Sequence, residues 1–568
     1  MTPHQETFTE RVLQRAAERG GQDAFVHLRD TGTALEPERL GWAALDHRAK
    51  DIASWLQERG LAGRQVLLLE PPGPQFITAF TGCLYAGAVA VPAPLPAGRE
   101  RHFGRLSRIA ADARISAVLT SAEHAPEIAA WLAAAGFPDV ACLATDAGPA
   151  GDPAHWRAPR LRPDDLAFLQ YTSGSTSAPK GVMVSHGNLM ANEAAVQRAL
   201  GSTAESCLGS WLPVYHDMGL IGHVLHPLWL GARAALMSPE TFLRRPAAWL
   251  EMITAYGVTH GGGPNFAYDM CVRRVREAEL ARLDLSTWQQ ACNGAEPVRA
   301  DTLRAFTERF APAGFRREAF FPCYGMAEAT LLVSGTPLGT APVTRAVDTA
   351  ALEQGRLAAP EQGRPTRTLA GSGRVHPGDF EIRIVDPATR HALPEGGIGE
   401  IWLRGPSIAR GYWGRPDLTA EAFGAALAGP DEESTGWLRT GDLGALDDGE
   451  LYVTGRLKEM LIVNGRNIYP HDVEAVVRSA DPALGTGAAF AVASPYDGRD
   501  RLVVVQELRD GTHAHDELLA RVRRAVSGEF GVAPDTVLLV APGTVHRTTS
   551  GKIQRTLMRD RYLAGELT

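Results

Sequence analysis

Apolar residues at helical spacing open the chain, with Val12, Leu13 and Ala16 on one face, and the same rhythm returns from Leu45 to Leu56. Both stretches predict amphipathic helices. At Gln65-Val-Leu-Leu-Leu-Glu70 the rhythm gives way to a short continuous apolar run that stops at Pro71-Pro72-Gly73, as a buried strand does. A helix closing at Gly87 and a strand over Ala88-Val-Ala-Val-Pro92 follow. The alternation recurs at Ser116–Thr120, Ala234–Met237 and around Gly257–His260. Strands alternating with helices across Gly/Pro turns predict parallel sheets packed by helices on both faces.

The pattern changes near Thr336. Residues 335–373 are rich in Gly, Pro, Ala and Thr, with one short helical piece around Thr349–Glu353. Beyond them, Phe380–Val385, Gly399–Arg404 and Gly449–Val453 are short alternating segments that predict antiparallel strands of a small β subdomain. After Thr454-Gly-Arg-Leu-Lys458 comes a separate α+β module of about 110 residues, a usual domain size. The expected fold class is α/β: a large N-terminal domain of parallel-type sheets with flanking helices plus a small β subdomain, then a small α+β C-terminal domain.

Composition narrows the function without naming it. The 568 residues are 45% hydrophobic, which excludes a disordered chain, and carry 57 Lys+Arg against 65 Asp+Glu, a net charge of −8. That mild acidity argues against a nucleic-acid binder built on a basic face. The six cysteines are scattered with no CxxC pair, so neither a disulfide framework nor a zinc site is expected. The uncharged stretch Pro71–Gly98 is broken by six prolines and predicts a buried helix and a strand, not a membrane span. The first 21 residues carry acids and no apolar run, so they are not read as a signal peptide. A soluble, cytoplasmic protein with a small-molecule site is expected.

The densest chemistry lies in Tyr171-Thr-Ser-Gly-Ser-Thr-Ser-Ala-Pro-Lys-Gly181. Small side chains let backbone N–H groups approach an anion, hydroxyls add donors and Lys180 adds charge. Thr172, Ser173, Gly174, Ser175, Thr176 and Lys180 are therefore candidate phosphate ligands. The string is not a Walker A loop, and by composition alone a polar turn between two strands would account for it. As a whole, however, it resembles the phosphate loop of the adenylate-forming superfamily of acyl-CoA synthetases, luciferases and peptide-synthetase adenylation domains. Further segments resemble that superfamily in its own order. Trp211-Leu-Pro-Val-Tyr-His-Asp-Met-Gly-Leu220 is similar to the histidine segment beside the acyl pocket, and Asn293-Gly-Ala-Glu296 to the adenine segment. Phe321-Pro-Cys-Tyr-Gly-Met-Ala-Glu328 is similar to the segment ending in a magnesium glutamate, and Trp437-Leu-Arg-Thr-Gly-Asp-Leu443 to the ribose aspartate motif. Gly455-Arg456 resembles the ribose arginine at the hinge, and Thr549-Ser-Gly-Lys-Ile-Gln-Arg555 the loop of the catalytic lysine.

The resemblance implies ATP and Mg2+ as cofactors and a role for each matched residue. Lys552, which alone would read as a solvated charge, would bridge an attacking carboxylate and the α-phosphate. Glu328, which alone would read as an acid at a helix N-terminus, would hold magnesium. Asp442 and Arg456 would hold the ribose. Tyr324, Asn293, Gly294 and Ala295 would hold adenine, with Gly325 and Met326 in the same AMP-binding segment. His216, grouped with Lys552 as a catalytic candidate, would stand between the phosphate loop and the acyl tunnel. Its neighbour Asp217 invites a hydrolase triad, but a complete G-x-S-x-G elbow is missing. Met218, Gly219, Gly263 and Phe266 are candidates for the acyl pocket, where the consecutive glycines from Gly261 are expected to open space.

Within the superfamily the chain resembles the fatty acyl-AMP ligases, through Leu68–Pro96, Pro213–Gly222, Gly263–Tyr268 and the 335–373 region. That region sits where these ligases carry an insertion that limits motion of the C-terminal domain and disfavours coenzyme A. Val463-Asn-Gly-Arg-Asn467 is similar to their hinge-following turn, with Asn464 where a basic residue was expected, in place of the Gly-Gly-Glu type of coenzyme A ligases. The implied organisation is an N-terminal adenylation domain over 1–455, with the insertion at 335–373 and the β subdomain at 374–455. A hinge at 456–458, centred on Lys458, leads to a mobile C-terminal lid domain over 459–568. The implied reaction is ATP-dependent conversion of a fatty acid to acyl-adenylate, then transfer to the phosphopantetheine thiol of an acyl carrier protein. Sixteen residues follow Lys552, so the carrier is expected in trans, with Arg521, Arg523 and Arg524 as a basic patch for it. A fatty acyl-CoA ligase and a retired acyl-nucleotide-binding protein are the alternatives.

Overall fold

The computed structural model describes residues 6–32, 34–96, 100–148, 150–171, 179–429, 435–463, 466–493, 500–509, 515–548 and 551–567. A six-stranded sheet runs in the order Ala141–Ala144, Ala117–Thr120, Gln65–Leu69, Val89–Pro92, Leu166–Tyr171 and Gly181–Ser185. Only its last pair is antiparallel. Val66, Leu67 and Leu68 have strands on both sides and are fully buried, which is why that run is apolar throughout instead of alternating. The helix expected before Gly87 is Pro74–Ala86, buried at every position except Gln75 and stopped by Gly87 in the left-handed conformation. Gly82 brings it against the helix Trp42–Glu58, since a Cβ there would lie 2.7 Å from Ile52 Cγ2.

An eight-stranded sheet supplies the other half of the body. Its order is Leu332–Gly335, Phe320–Gly325, Gln290–Asn293, His260–Gly263, Cys207–Ser210, Arg233–Met237, Asp23–Asp30 and Leu35–Gly41, parallel except for the pair at each end. The strand expected around Gly257–His260 begins only at His260. Gly257, at φ +59°, is the left-handed stop of the helix Ala247–Tyr256, so the chain leaves one element there before it enters the next.

The β subdomain is a four-stranded antiparallel sheet, Glu381–Val385, Gly399–Arg404, Leu438–Asp447 and Glu450–Arg456. The C-terminal α+β domain packs helices Pro470–Ala480 and His515–Phe530 on one face of the sheet Leu484–Ala493, Asp500–Leu508 and Thr536–Val540. Met558, on the helix Arg555–Leu563, packs with Phe490 and Val503 on the other face. No described helix is long and apolar enough to cross a membrane.

Residues 335–373 form a hairpin, Thr344–Asp348 with Thr366–Ala370, around the expected helix Thr349–Glu353. Two features tie this segment to the C-terminal domain. Arg367 forms an ion pair with Asp472 and lies over the Tyr469 ring, 5.9 Å from its centroid. Val347, Leu352 and Leu369 share an apolar cluster with Leu443, Tyr452 and Tyr469. Gly335 and Arg374 close the base of the segment with paired backbone hydrogen bonds of 3.2 and 2.9 Å. Gly373 beside them adopts φ +79°, and a Cβ there would lie 1.8 Å from the Gly335 carbonyl carbon.

Gly373→Ala combines left-handed strain with a backbone clash and is expected to cost about 1–3 kcal/mol or more. Gly378→Ala, at φ +91° but in open space, isolates the strain alone. Thermal unfolding should show the larger loss for Gly373→Ala; equal losses would mean that the closure at Gly335 is not tight.

Candidate active site

A cavity of about 1000 Å3 opens where the β subdomain and the C-terminal domain meet the carboxyl ends of the parallel strands, the usual ligand position in such sheets. Strand Phe320–Gly325 ends there with Tyr324, whose hydroxyl donates to Asp442 Oδ2 at 2.8 Å. Arg456, opposite Asp442 in the antiparallel register, donates through Nε to Oδ1 at 3.2 Å. A carboxylate has about four acceptor positions, so Asp442 is held by two donors and keeps capacity for two hydroxyls.

Glu328 follows on the turn Ala327–Ala329 and accepts from the Tyr412 hydroxyl at 2.9 Å; Lys180 lies over the same tyrosine ring, 5.0 Å from its centroid. Burial pushes the Glu328 carboxyl above its ordinary range, and the charges of Asp217 and Asp442 act the same way. The backbone after it is strained. Thr330, a β-branched residue, sits at φ +70° and ψ −65°, the rarer form of γ-turn, with Leu331 N bonded to Ala329 O at 3.0 Å. It is held there by its hydroxyl, which donates to Ser407 O at 2.6 Å. Among the described residues no three His, Cys, Asp or Glu side chains form a metal cage. Glu328, facing the cavity, still fits magnesium, which usually takes one or two carboxylates from the protein and the rest of its ligands from phosphate and water.

His216 caps the short helix Asp217–Leu220, and its Nδ1 lies 2.6 Å from Asp217 Oδ1. Burial alone would raise the Asp217 carboxyl. The His216 contact, the Lys552 charge and the Met218 N–H outweigh it and hold the group down at about 2. Lys552 enters from the C-terminal domain on a loop closed by Thr548 N to Lys552 O at 2.7 Å. Gly551, at φ +85°, lets this loop approach Phe266; a Cβ there would lie 2.9 Å from the ring. Burial and the neighbouring Arg456 push the Lys552 ammonium below the usual lysine range, against the pull of Asp217, Asp442 and Glu296. Arg555 anchors the end of the loop on Glu459 at 2.5 Å and Glu474 at 2.7 Å.

Tyr324, Gly325, Met326, Glu328, Asp442, Arg456, Lys458, Lys180, His216 and Lys552 thus line one cavity. Thr172, Ser173, Gly174, Ser175 and Thr176 lie outside the described residues, as do Asn464 and Gly465 of the turn after the hinge; the flanking Tyr171 and Lys180 line the wall. In the adenine segment Ala295, at φ +64°, and Glu296 reach the cavity. Asn293 is wholly buried behind it with Oδ1 unpartnered, and Gly294 fits against Cys323.

In the acyl segments, Met218 and Phe266 line the cavity, whereas Gly219 and Gly263 do not. Of Gly219, Gly261, Gly262 and Gly263, only Gly261 lines the cavity. Their missing side chains admit neighbours: Pro213 O at Gly219, Gly209 O at Gly261, Cys292 O at Gly262 and the Trp211 ring at Gly263, each within 2.9 Å of the would-be Cβ. Asp217, Glu296 and Tyr412 were not singled out as ligands. Glu296 accepts from Phe266 N at 2.5 Å, but no linear pattern marks such a contact. One signal was available in the composition. Of 57 cationic side chains only Lys50, Lys180, Lys458 and Lys552 are lysines, and the last three line this cavity. A compact ammonium fits between two anionic oxygens where the planar guanidinium fork does not.

The cavity gathers Glu328, Asp442, Arg456 and Lys552, the charged residues of the segments that resemble the adenylate-forming superfamily. The AMP-binding enzyme family matches residues 13–413, and the AMP domain of the Disco-interacting protein 2-like family matches 458–568. The chain is 40% identical over 542 residues to the medium-chain-fatty-acid–[acyl-carrier-protein] ligase JamA of Moorena producens, covering 94% of this chain and 91% of that protein. It is 37% identical over 572 residues to the long-chain-fatty-acid–AMP ligase FadD26 of Mycobacterium tuberculosis, covering 97% and 96%. The structure of the Legionella pneumophila fatty acyl-adenylate ligase with acyl adenylate and pyrophosphate superposes with a TM-score of 0.77 at 37% identity, covering 98% and 96%. The chain belongs to the fatty acyl-AMP ligases of the adenylate-forming superfamily and is an enzyme that adenylates fatty acids.

Because the Asp217 carboxylate favours the charged form of Lys552, Asp217→Asn should lower the lysine pKa further. A rate that needs the ammonium is then lost at lower pH as pH rises. The alkaline limb of the adenylation pH–rate profile should move down relative to wild type; an unmoved limb would detach Asp217 from Lys552.

Proposed function

We propose that this enzyme converts a fatty acid and ATP to acyl-adenylate and pyrophosphate on Lys552, Asp442, Arg456 and Glu328, and then passes the acyl group to the phosphopantetheine thiol of an acyl carrier protein acting in trans. In the first step a carboxylate oxygen bonds to the α-phosphorus as the bond to pyrophosphate breaks. Both partners are anions, so fixed cations must lower their repulsion and meet charge developing on the α-phosphate. Lys552 bridges the two, with Lys180 beside the phosphates. Asp442 and Arg456 orient the ribose, Tyr324 and Ala295 face adenine, and His216 separates the phosphates from the acyl chain. Glu328 would hold a magnesium ion, which supplies charge neutralisation on the triphosphate.

In the second step the thiol sulfur bonds to the acyl carbon, AMP leaves and the thiol proton passes to solvent. Residues 1–455 act as the adenylation domain, 456–458 as the hinge at Lys458 and 459–568 as the lid that withdraws Lys552 between the steps. The single observation that carries the carrier-protein reading is the tie from Arg367, within 335–373, to Asp472 and Tyr469 of the C-terminal domain. Such a tie restrains the swing that coenzyme A transfer requires. The carrier ligase named among the relatives supports the same acceptor. Arg523 and Arg524 are exposed on the helix His515–Phe530 and suit an acidic carrier, while Arg521 is engaged by Asp481 at 2.7 Å.

A fatty-acid panel scored for acyl-AMP by mass, with holo carrier protein or coenzyme A as acceptor, tests this reading. Acyl-AMP should accumulate alone and discharge onto the carrier; efficient acyl-CoA formation would overturn the acceptor. Lys552→Ala should lower adenylation about a hundredfold or more, and Lys552→Arg should not restore it. Unchanged adenylation in Lys552→Ala would overturn the mechanism.

A further inference from the structure

Of three buried histidines, His223 and His260 line the cavity together with Val196, Leu200, Leu208, Phe321 and Leu332, and His226 lies behind its wall. Two of them are saturated. His226 lies 2.6 Å from Glu193 through Nδ1 and 2.7 Å from Ser202 through Nε2, a Ser-His-Glu relay sealed inside the protein. His260 lies 2.8 Å from the Thr259 hydroxyl and 3.0 Å from Leu200 O.

His223 differs. It sits on the π-helical turn Ile221–Leu225, with Nδ1 2.9 Å from Met218 O. A carbonyl oxygen only accepts, so the proton is on Nδ1 and Nε2 keeps its lone pair. The residue is 4% exposed, and burial, with a smaller contribution from His226, holds the imidazole down to about 4, so it is neutral at pH 7. Nε2 has no partner among the described residues. It is also not one of the enclosed orphan atoms, as His27 Nε2 and His186 Nδ1 are, and the side chain lines the cavity. The unused acceptor therefore opens into the apolar chamber.

We propose that His223 Nε2 is a specificity determinant that selects fatty acids bearing a hydroxyl group on the chain. The inference rests on the fatty-acid reading of this cavity and names the substrate class. A lone pair in an apolar wall calls for a neutral donor. An ammonium would lose its hydration there, and a second carboxylate would face the lone pair with like charge. A hydroxyl fits without either cost. An unsubstituted chain leaves Nε2 desolvated and unpaired, and sites built to bond a substrate hydroxyl discriminate strongly against analogues that lack it.

The test compares acyl-AMP formation from unsubstituted acids, hexanoate to palmitate, with that from positional monohydroxy isomers of the best of them. One isomer or two adjacent ones should exceed the parent acid in kcat/KM by about tenfold or more, mainly through KM. His223→Leu should abolish that preference while keeping activity on the parent acid. His223→Phe gives the same reading should His223→Leu not fold. Isomers all equal to or worse than the parent, or a preference that survives both substitutions, would overturn the proposal. Failure of every acid, hydroxylated or not, to form acyl-AMP would overturn the fatty-acid reading itself and this inference with it.

Discussion

Asp217, Glu296, Glu328 and Asp442 are among the carboxylates that line one cavity in which the substrates are themselves anions, and the architecture around them answers that repulsion. Each carboxylate is held by a donor from its own half of the molecule: His216 and Met218 N for Asp217, Phe266 N for Glu296, the Tyr412 hydroxyl for Glu328 and the Tyr324 hydroxyl for Asp442. The compensating charge of Lys552 arrives from the C-terminal domain. Its loop rests on Phe266 through a residue without a side chain and is pinned at its far end by Arg555 on Glu459 and Glu474. Lys552 thus joins Lys180, Arg439 and Arg456 among the cations that line the cavity.

The 335–373 segment also meets the C-terminal domain. Its base is closed by Gly335, Gly373 and Arg374, and its far end meets the C-terminal domain through the Arg367–Asp472 ion pair and the cluster containing Tyr469. The composition of the segment follows from the contacts at its two ends. Glycine is required at Gly373, where the Gly335 backbone approaches, and at Gly335, where the Phe321 ring does, and arginine where a charge must also lie on an aromatic ring. The strained γ-turn at Thr330 stores a comparable constraint beside Glu328 and fixes where that carboxylate points.

Much of this was legible in the linear chain. Buried parallel strands announced themselves as unbroken apolar runs, as at Val66–Leu69. Glycine in the left-handed conformation closed helices, as at Gly87. The segments around Tyr324, Asp442 and Lys552 carried their chemistry in contiguous residues, because each is a turn or strand end whose neighbours position it. Expectations failed where a side chain's surroundings come from distant elements. Gly261, Gly262 and Gly263 were expected to open space, but the Gly209 and Cys292 carbonyls crowd the first two and the Trp211 ring the third. Asn293 and Gly294 were expected beside adenine; Asn293 is buried at the strand end and Gly294 is packed against Cys323, while Ala295 lines the cavity.

By itself, then, the sequence determined the element order, the family and the residues able to handle a nucleotide, since backbone preference and short motifs are local properties. The tertiary structure alone decided which acids share a cavity, how the 335–373 segment reaches the C-terminal domain, and which histidine nitrogen is left open. The reason is that pairing, burial and electrostatic shift depend on atoms hundreds of residues apart, as between Asp217 and Lys552, and no spacing along the chain encodes their distance.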